Sequence, residues 1–429
     1  MRVAFFTLGC KVNQYETQIL SQLFADDGYD VVSHTEPADV YILNSCTVTS
    51  TGDKKTRQML RRFKSQNPGA VVALTGCFPQ AFPDAAERLP EADVITGSSN
   101  RARLPEAVKR RLATGERVID ISPHQQGEGF EHMSMKKFSE RTRAFVKIED
   151  GCERYCSYCI IPKARGPVRS KPLTDLREEL HNLARASYQE VVLVGVNLSC
   201  YGAELGIRLI DAVELACSID GIQRVRLGSL EPELLSEEDI QRMAAQPKVC
   251  PQFHLSLQSG CDETLKRMNR HYTTREYESI VRSLRKNFKN CAITTDIMVG
   301  FPKETEEEFQ QSMAFASKIA FPKVHVFAYS PREGTRAAAM PGQISKGEKE
   351  ERSARMIALT QEVRKNFLQS QVGQTVSVLF ERELAPHVFE GYSENYTPVH
   401  LSSPEDLHGK ILPVKIISAQ SDWCTGQLM

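Results

Sequence analysis

The chain has 429 residues, 41% of them hydrophobic, and its 54 basic residues are balanced by 54 acidic ones. That length predicts two or three domains with sizeable cores. The zero net charge excludes a global attraction to nucleic acid, so any polyanion must meet a local basic patch.

Residues 3–6 read as a buried strand and 14–27 as an amphipathic helix ended by Gly28. Residues 40–44 form the next strand, followed by a polar helix through Phe63. Asn67, Pro68 and Gly69 make a turn before a third strand at 70–75, and 93–96 reads as a fourth. Strands alternating with helices predict a doubly wound parallel sheet. In such a sheet the carboxyl ends of the strands share one edge, where ligands bind. Cys10, Cys46 and Cys77 each follow one of the first three strands. One cysteine at a strand end is often only a small buried hydrophobe. Three at equivalent ends predict a three-thiolate site assembled from distant residues.

The same region carries two basic groups, one of Lys54, Lys55, Arg57, Arg61, Arg62 and Lys64 and one of Lys109, Arg110 and Arg111. Each is either a solvated helix face or a contact for a polyanion. Residues 121–142 are polar and irregular and read as a linker.

A strand at 144–148 delivers the densest cysteine group, Cys152, Cys156 and Cys159, spaced Cys-x3-Cys-x2-Cys. Three thiolates can hold three irons of a cubane cluster, and the iron left open can bind and activate a small molecule. Zinc usually takes four N/S ligands, often as two pairs, and the candidate fourth ligands here are distant. Disulfides are disfavoured. The apolar run 3–6 is too short for a signal peptide, no run is long enough to span a membrane, and a cytoplasmic chain keeps its thiols reduced.

Further strands read at 191–196, 224–227, 253–257, 292–298 and 324–328, separated by helices such as 176–186 and 304–318. The pattern predicts a full or partial parallel barrel with its chemistry at the carboxyl ends of the strands. Polar or glycine-containing segments at 195–197, 228–232, 256–260 and 298–302 fall at those ends. A long charged helix follows at 343–371. Short strands at 375–380, 388–392, 398–401 and 411–417 then predict a small antiparallel barrel, either an RNA-binding module or a structural cap. Cys200, Cys217, Cys250, Cys261, Cys291 and Cys424 read as structural thiols, and His254 and His325 as ordinary polar packing.

The run from Gly151 to Pro162, with Tyr158 just before the last cysteine, resembles the signature of the radical S-adenosylmethionine superfamily, and within it the methylthiotransferases. The runs 161–166, 257–260, 268–270 and 329–335 strengthen the resemblance, which covers nearly the whole chain. It implies an amino-terminal cysteine domain over 1–120, a linker over 121–142, a radical domain of partial (βα)6 barrel type over 143–370, and over 371–429 a segment similar to the RNA-binding TRAM barrel. The run 7–17, with Lys11, Val12 and Asn13 after Cys10, looks like the bacterial subgroup acting on N6-threonylcarbamoyladenosine at position 37 of tRNA. Relatives acting on isopentenyladenosine, or on an aspartate of a ribosomal protein, carry other residues there. Lys303 stands where the family usually has glycine.

The resemblance further implies two [4Fe–4S] clusters, one on Cys152, Cys156 and Cys159 and one on Cys10, Cys46 and Cys77. It implies S-adenosylmethionine as the source of a 5′-deoxyadenosyl radical. Tyr158, Arg165, Arg169, Glu231 and Gln258 are the expected polar and backbone contacts to cofactor or substrate. The implied partners are the tRNA anticodon loop and an electron donor of flavodoxin or ferredoxin type, with the sulfur donor and the oligomeric state left open. Two other readings stand beside this one: a methylthiotransferase acting on another substrate of the family, and a non-catalytic metal protein that only binds RNA.

Overall fold

A computed structural model describes residues 1–131, 133 and 142–429; part of the expected linker lies outside the described residues. The amino-terminal region is a six-stranded, all-parallel sheet. Its order is Asp30–Val32, Arg2–Thr7, Val40–Ser45, Val71–Gly76, Val94–Thr96, Val118–Asp120. The strands Val40–Ser45 and Val71–Gly76 are buried on both faces, as expected where helices cover a parallel sheet on each side. Alternate residues serve opposite faces. Val40 and Ile42 pack with Leu20, Phe24, Leu104 and Val108 from the helices Lys11–Asp26 and Leu104–Thr114. Tyr41 and Leu43 pack with Met59, Leu60 and Phe63 of the opposite helix Ser50–Gln66.

Two of the six strands, Asp30–Val32 and Val118–Asp120, are edge strands of three residues that the sequence reading passed over. Neither is long enough to show a period of its own.

The central region forms six strand–helix units in two parallel sheets. Arg143–Lys147, Glu190–Val194 and Arg224–Leu227 make one. Ser229–Leu230, Gln252–Leu255, Ala292–Val299 and Lys323–Ala328 make the other. The chain passes from one sheet to the other at Gly228, whose N–H donates to the Leu193 carbonyl at 2.8 Å. A Cβ on Gly228 would lie 3.2 Å from that same oxygen, so the crossing favours glycine. The result is an open barrel, and the 25-residue helix Lys346–Ser370 packs along its last strand and covers that edge.

At the carboxyl terminus five strands close into a barrel in the order Thr375–Ala385, Val388–Ser393, Pro398–Ser402, Cys424–Leu428, Ile411–Ala419. The closing strand, Cys424–Leu428, was not expected from the sequence. Its run Cys-Thr-Gly-Gln-Leu is too polar to alternate clearly, and pairing on both sides makes it a strand. This barrel docks on the central one through Arg224 and Arg226. Arg224 donates to Ser377 O at 2.6 Å, and Arg226 donates to Glu394 O at 2.9 Å and to Ser393 O at 3.3 Å.

Among the described residues no helix is long and apolar enough to cross a membrane.

Candidate functional site

The strands that end near Cys10, Cys46 and Cys77 are immediate neighbours in the amino-terminal sheet, so the three turns share one edge. Two glycines let those turns close on one another. Gly9 has φ +111°, and a Cβ there would stand 2.8 Å from Cys46 Cβ and 3.1 Å from its sulfur. Gly76 has φ +97°, and a Cβ would meet Asn44 Oδ1 at 2.5 Å. Asn13 ties the turns together by donating to Leu8 O at 2.9 Å and Ser45 O at 3.0 Å. Its carbonyl oxygen lies 3.6 Å from Cys10 Sγ and accepts from Arg165 at 2.7 Å. Arg165 in turn donates to Cys77 Sγ at 3.2 Å.

The second triad lies in the loop after the strand Arg143–Lys147. Cys152 Sγ is 3.8 Å from Asn197 Nδ2, and Cys156 Sγ accepts from Arg270 at 3.3 Å. The loop is clamped from outside. Ser157 donates through its backbone to Met268 O and through its hydroxyl to Arg267 O, both at 2.9 Å. Asn269 donates to Tyr155 O at 3.0 Å, and Ala337 N–H donates to Ser157 O at 2.7 Å. The run 268–270 that marked the sequence therefore grips the cysteine loop.

The two triads adjoin. Cys77 and Ala81 pack against Ile160 and Ala164, and Ile160 directly follows Cys159. Arg165 closes the seam: it pairs with Glu16 at 2.5 Å from the amino-terminal helix and with Asp150 at 3.3 Å from the barrel. Arg101 and Lys147 reach the same Glu16 at 3.0 and 2.9 Å. Burial alone would raise the Glu16 carboxyl, but Arg101, Arg165 and Lys147 outweigh it and hold the pKa at about 2.

Burial pushes the thiols up, to about 12 at Cys46, about 11 at Cys152 and about 12 at Cys159, and upward at Cys77 as well. Neighbouring cysteines add to the shift: Cys77 at Cys46, and Cys156 at Cys159. Burial thus favours the protonated form of these four thiols, and a metal that takes them as thiolates must release those protons. Among the described residues no three His, Cys, Asp or Glu converge as ligands of a single ion would. A cubane takes each thiolate on a separate iron, so its three cysteines need not converge on one point. The absent side chains of Gly9 and Gly76 leave the turns carrying the amino-terminal triad room to approach. The donor sets and the cradle therefore fit two such clusters.

The other expected contacts fall in different places. Tyr158 sits at the loop triad, edge-on to Phe301 with ring centroids 6.4 Å apart. Glu231 is taken by Arg270, the cation beside Cys156. Gln258 has φ +67°, and its backbone bridges Asp296 O and Met298 N. Arg169 donates to its own neighbours, Arg165 O at 2.9 Å and Pro167 O at 2.8 Å. Arg165 belongs to the amino-terminal triad and its seam.

Sequence reasoning missed Asn13, Asn197, Arg270, Glu149 and Cys200 as neighbours of the sulfurs. Asn197 and Arg270 lay inside segments already singled out, but their partners are more than 40 residues away in the chain. Glu149 is buried, and burial pushes its carboxyl well above the usual range. One of its oxygens accepts from Asn197 N–H at 2.7 Å, and the other has no partner among the described residues. Burial pushes the Cys200 thiol up to about 12, with Glu149 and Cys152 as neighbours that add to the shift.

Between the amino-terminal sheet and the central barrel lies a chamber of about 630 Å³. Gly9, Cys10 and Lys11 form part of its wall, Gly195 and Gly228 mark the strand ends, and Tyr396 enters from the small barrel.

An open parallel barrel with a three-cysteine loop after its first strand, joined to a second three-cysteine edge, defines a radical S-adenosylmethionine type of architecture. The radical SAM superfamily model matches residues 146–316, and the model of Uncharacterized protein family UPF0004 matches residues 2–97. The chain is 36% identical to threonylcarbamoyladenosine tRNA methylthiotransferase MtaB of Bacillus subtilis (strain 168), covering 100% of this chain and 96% of that one. It is 34% identical to tRNA-2-methylthio-N(6)-dimethylallyladenosine synthase of Pelotomaculum thermopropionicum, covering 98% and 96%. In fold it is similar to the radical S-adenosylmethionine methyltransferase TsrM of Kitasatospora setae, whose structure holds cobalamin and a [4Fe-4S] cluster. The TM-score is 0.57 at 13% identity, over 79% of this chain and 77% of that one. The chain belongs to the radical S-adenosylmethionine methylthiotransferase family.

Proposed function

We propose that this protein converts N6-threonylcarbamoyladenosine at position 37 of tRNA to its 2-methylthio derivative. The adjacency of the two cysteine triads across the Cys77–Ile160 contact carries this reading, because sulfur delivery and C–H activation must reach one carbon. Relatives named for threonylcarbamoyladenosine, at 36% identity in three bacteria, favour this substrate over the dimethylallyl one.

Cys152, Cys156 and Cys159 would hold one [4Fe–4S] cluster and Cys10, Cys46 and Cys77 the other. Bound S-adenosylmethionine and the loop cluster would supply a carbon radical strong enough to take hydrogen from an aromatic C–H. The chain's own residues position and shield that chemistry. Arg270 and Asn197 hydrogen-bond the loop sulfurs, and the charge-assisted bond from Arg270 holds geometry well. The Arg165 seam keeps the two sites at constant separation, as a two-site reaction needs. Tyr158 and Phe301 close the apolar side of the loop against water.

An anticodon-loop base is single-stranded and can be splayed into such a chamber. Lys54, Lys55, Arg57 and Arg62 are exposed on the helix Ser50–Gln66 and have the character of phosphate contacts that position an RNA.

The test is mass spectrometry of tRNA nucleosides from cells lacking the gene. The reading predicts loss of 2-methylthio-N6-threonylcarbamoyladenosine, accumulation of the unmodified precursor, and recovery on complementation. An unchanged nucleoside profile, or loss of the dimethylallyl derivative instead, contradicts it.

A further inference from the structure

Lys11 is an unusual choice for its position. It is the first residue of the helix Lys11–Asp26, where the helix dipole disfavours a cation. Such local conflicts concentrate at functional sites. Its side chain projects into the chamber, and among the described residues it makes no hydrogen bond or ion pair. Arg143, Arg226 and Lys323 line the same chamber.

The chamber's only acidic side chain among the described residues is Asp296, which faces His254 at 3.4 Å. Arg143 and Arg226 share Glu190 at 3.5 and 3.0 Å, and the ring of Tyr396 lies 5.0 and 4.8 Å from their guanidinium carbons. These two cations are fixed in place, whereas Lys11 is free to meet a ligand. A cationic wall with an unpartnered ammonium is built for an anion, and an uncharged apolar group would leave that charge facing nothing.

We propose that Lys11 reads the N6 substituent of the target adenine, pairing its ammonium with the carboxylate of the threonylcarbamoyl group and disfavouring the dimethylallyl group. This rests on the substrate reading above. It adds the residue that sets the choice of nucleoside. The small barrel takes part indirectly, since Tyr396 braces the arginines on the far side of the same wall.

The experiment measures binding to the cluster-loaded enzyme by anaerobic fluorescence anisotropy. Three labelled anticodon stem-loops are compared, carrying threonylcarbamoyladenosine, its uncharged methylamide, or dimethylallyladenosine. Wild type is expected to bind the carboxylate form on the order of 10- to 100-fold more tightly than the amide. Lys11→Met is expected to lose that preference, and Lys11→Arg to keep most of it.

Iron content is measured alongside, because Lys11 adjoins Cys10. The wild-type comparison between carboxylate and amide needs no variant, so cluster loss in Lys11→Met does not blunt the test. Equal wild-type affinity for the two overturns the proposal. So does an equal weakening of all three RNAs by Lys11→Met, which is the signature of a phosphate contact. If wild type still methylthiolates the threonylcarbamoyl RNA in either case, the substrate reading survives. Modification of the dimethylallyl RNA alone removes both.

Discussion

Glu190 offers the sharpest test of how the two barrels are joined. This buried carboxylate opens the strand Glu190–Val194 and faces Arg143 at 3.5 Å, Arg224 at 3.4 Å and Arg226 at 3.0 Å. Two of these arginines hold the carboxyl-terminal barrel through Ser377 O, Ser393 O and Glu394 O. Burial alone would raise the Glu190 carboxyl; Arg226 and Arg143 outweigh it and hold the pKa at about 2, against an ordinary value of 4.5. A value lower in the folded state means stabilisation that is present above about pH 4.5 and lost as pH falls toward 2. That depression corresponds to about 3 kcal/mol at neutral pH. Glu190→Gln keeps the shape, removes the charge and leaves three guanidinium groups facing one another. Urea denaturation near neutral pH should show the variant about 3 kcal/mol less stable, with the difference shrinking as the acid is titrated. Hydrogen exchange should place the loss at the contact between the two barrels. A difference below about 0.5 kcal/mol, or one that does not change with pH, refutes the reasoning.

Other outcomes follow from the triads. Gly76→Ala puts a Cβ 2.5 Å from Asn44 Oδ1 at a φ of +97°, so it should lower stability by about 2 kcal/mol or more and reduce bound iron by displacing Cys77; thermal melting and iron analysis check it. Arg165→Met should cost about 3–5 kcal/mol, measured in urea, because Glu16 and Asp150 lose a buried partner. Arg165→Lys should fail to restore the loss, since one ammonium cannot reach Cys77, Asn13, Glu16 and Asp150 together.

Much of this was legible in the sequence because it depends on local pattern. The strands that carry Cys10, Cys46 and Cys77 are apolar runs bounded by turn residues, and the rule about strand ends needs no alignment of distant parts. The loop triad is a contiguous spacing. The six strand–helix units of the central barrel likewise announce themselves through periodicity. What escaped depends on pairing or long-range contact. The edge strands Asp30–Val32 and Val118–Asp120 and the closing strand Cys424–Leu428 owe their form to neighbours. Arg165 was expected to contact cofactor or substrate; its guanidinium reaches across 88 residues to Cys77, a contact no local pattern reveals. The chamber wall is assembled the same way, with Lys11, Arg143, Arg226 and Tyr396 drawn from separate regions.

The central claim is that each cysteine triad holds its own cluster. Iron and sulfide analysis after anaerobic reconstitution tests it most directly, on wild type and on two triple variants, Cys10→Ala/Cys46→Ala/Cys77→Ala and Cys152→Ala/Cys156→Ala/Cys159→Ala. The account predicts about eight irons per wild-type chain and about four in each variant. A triple variant that keeps the full wild-type complement would contradict it.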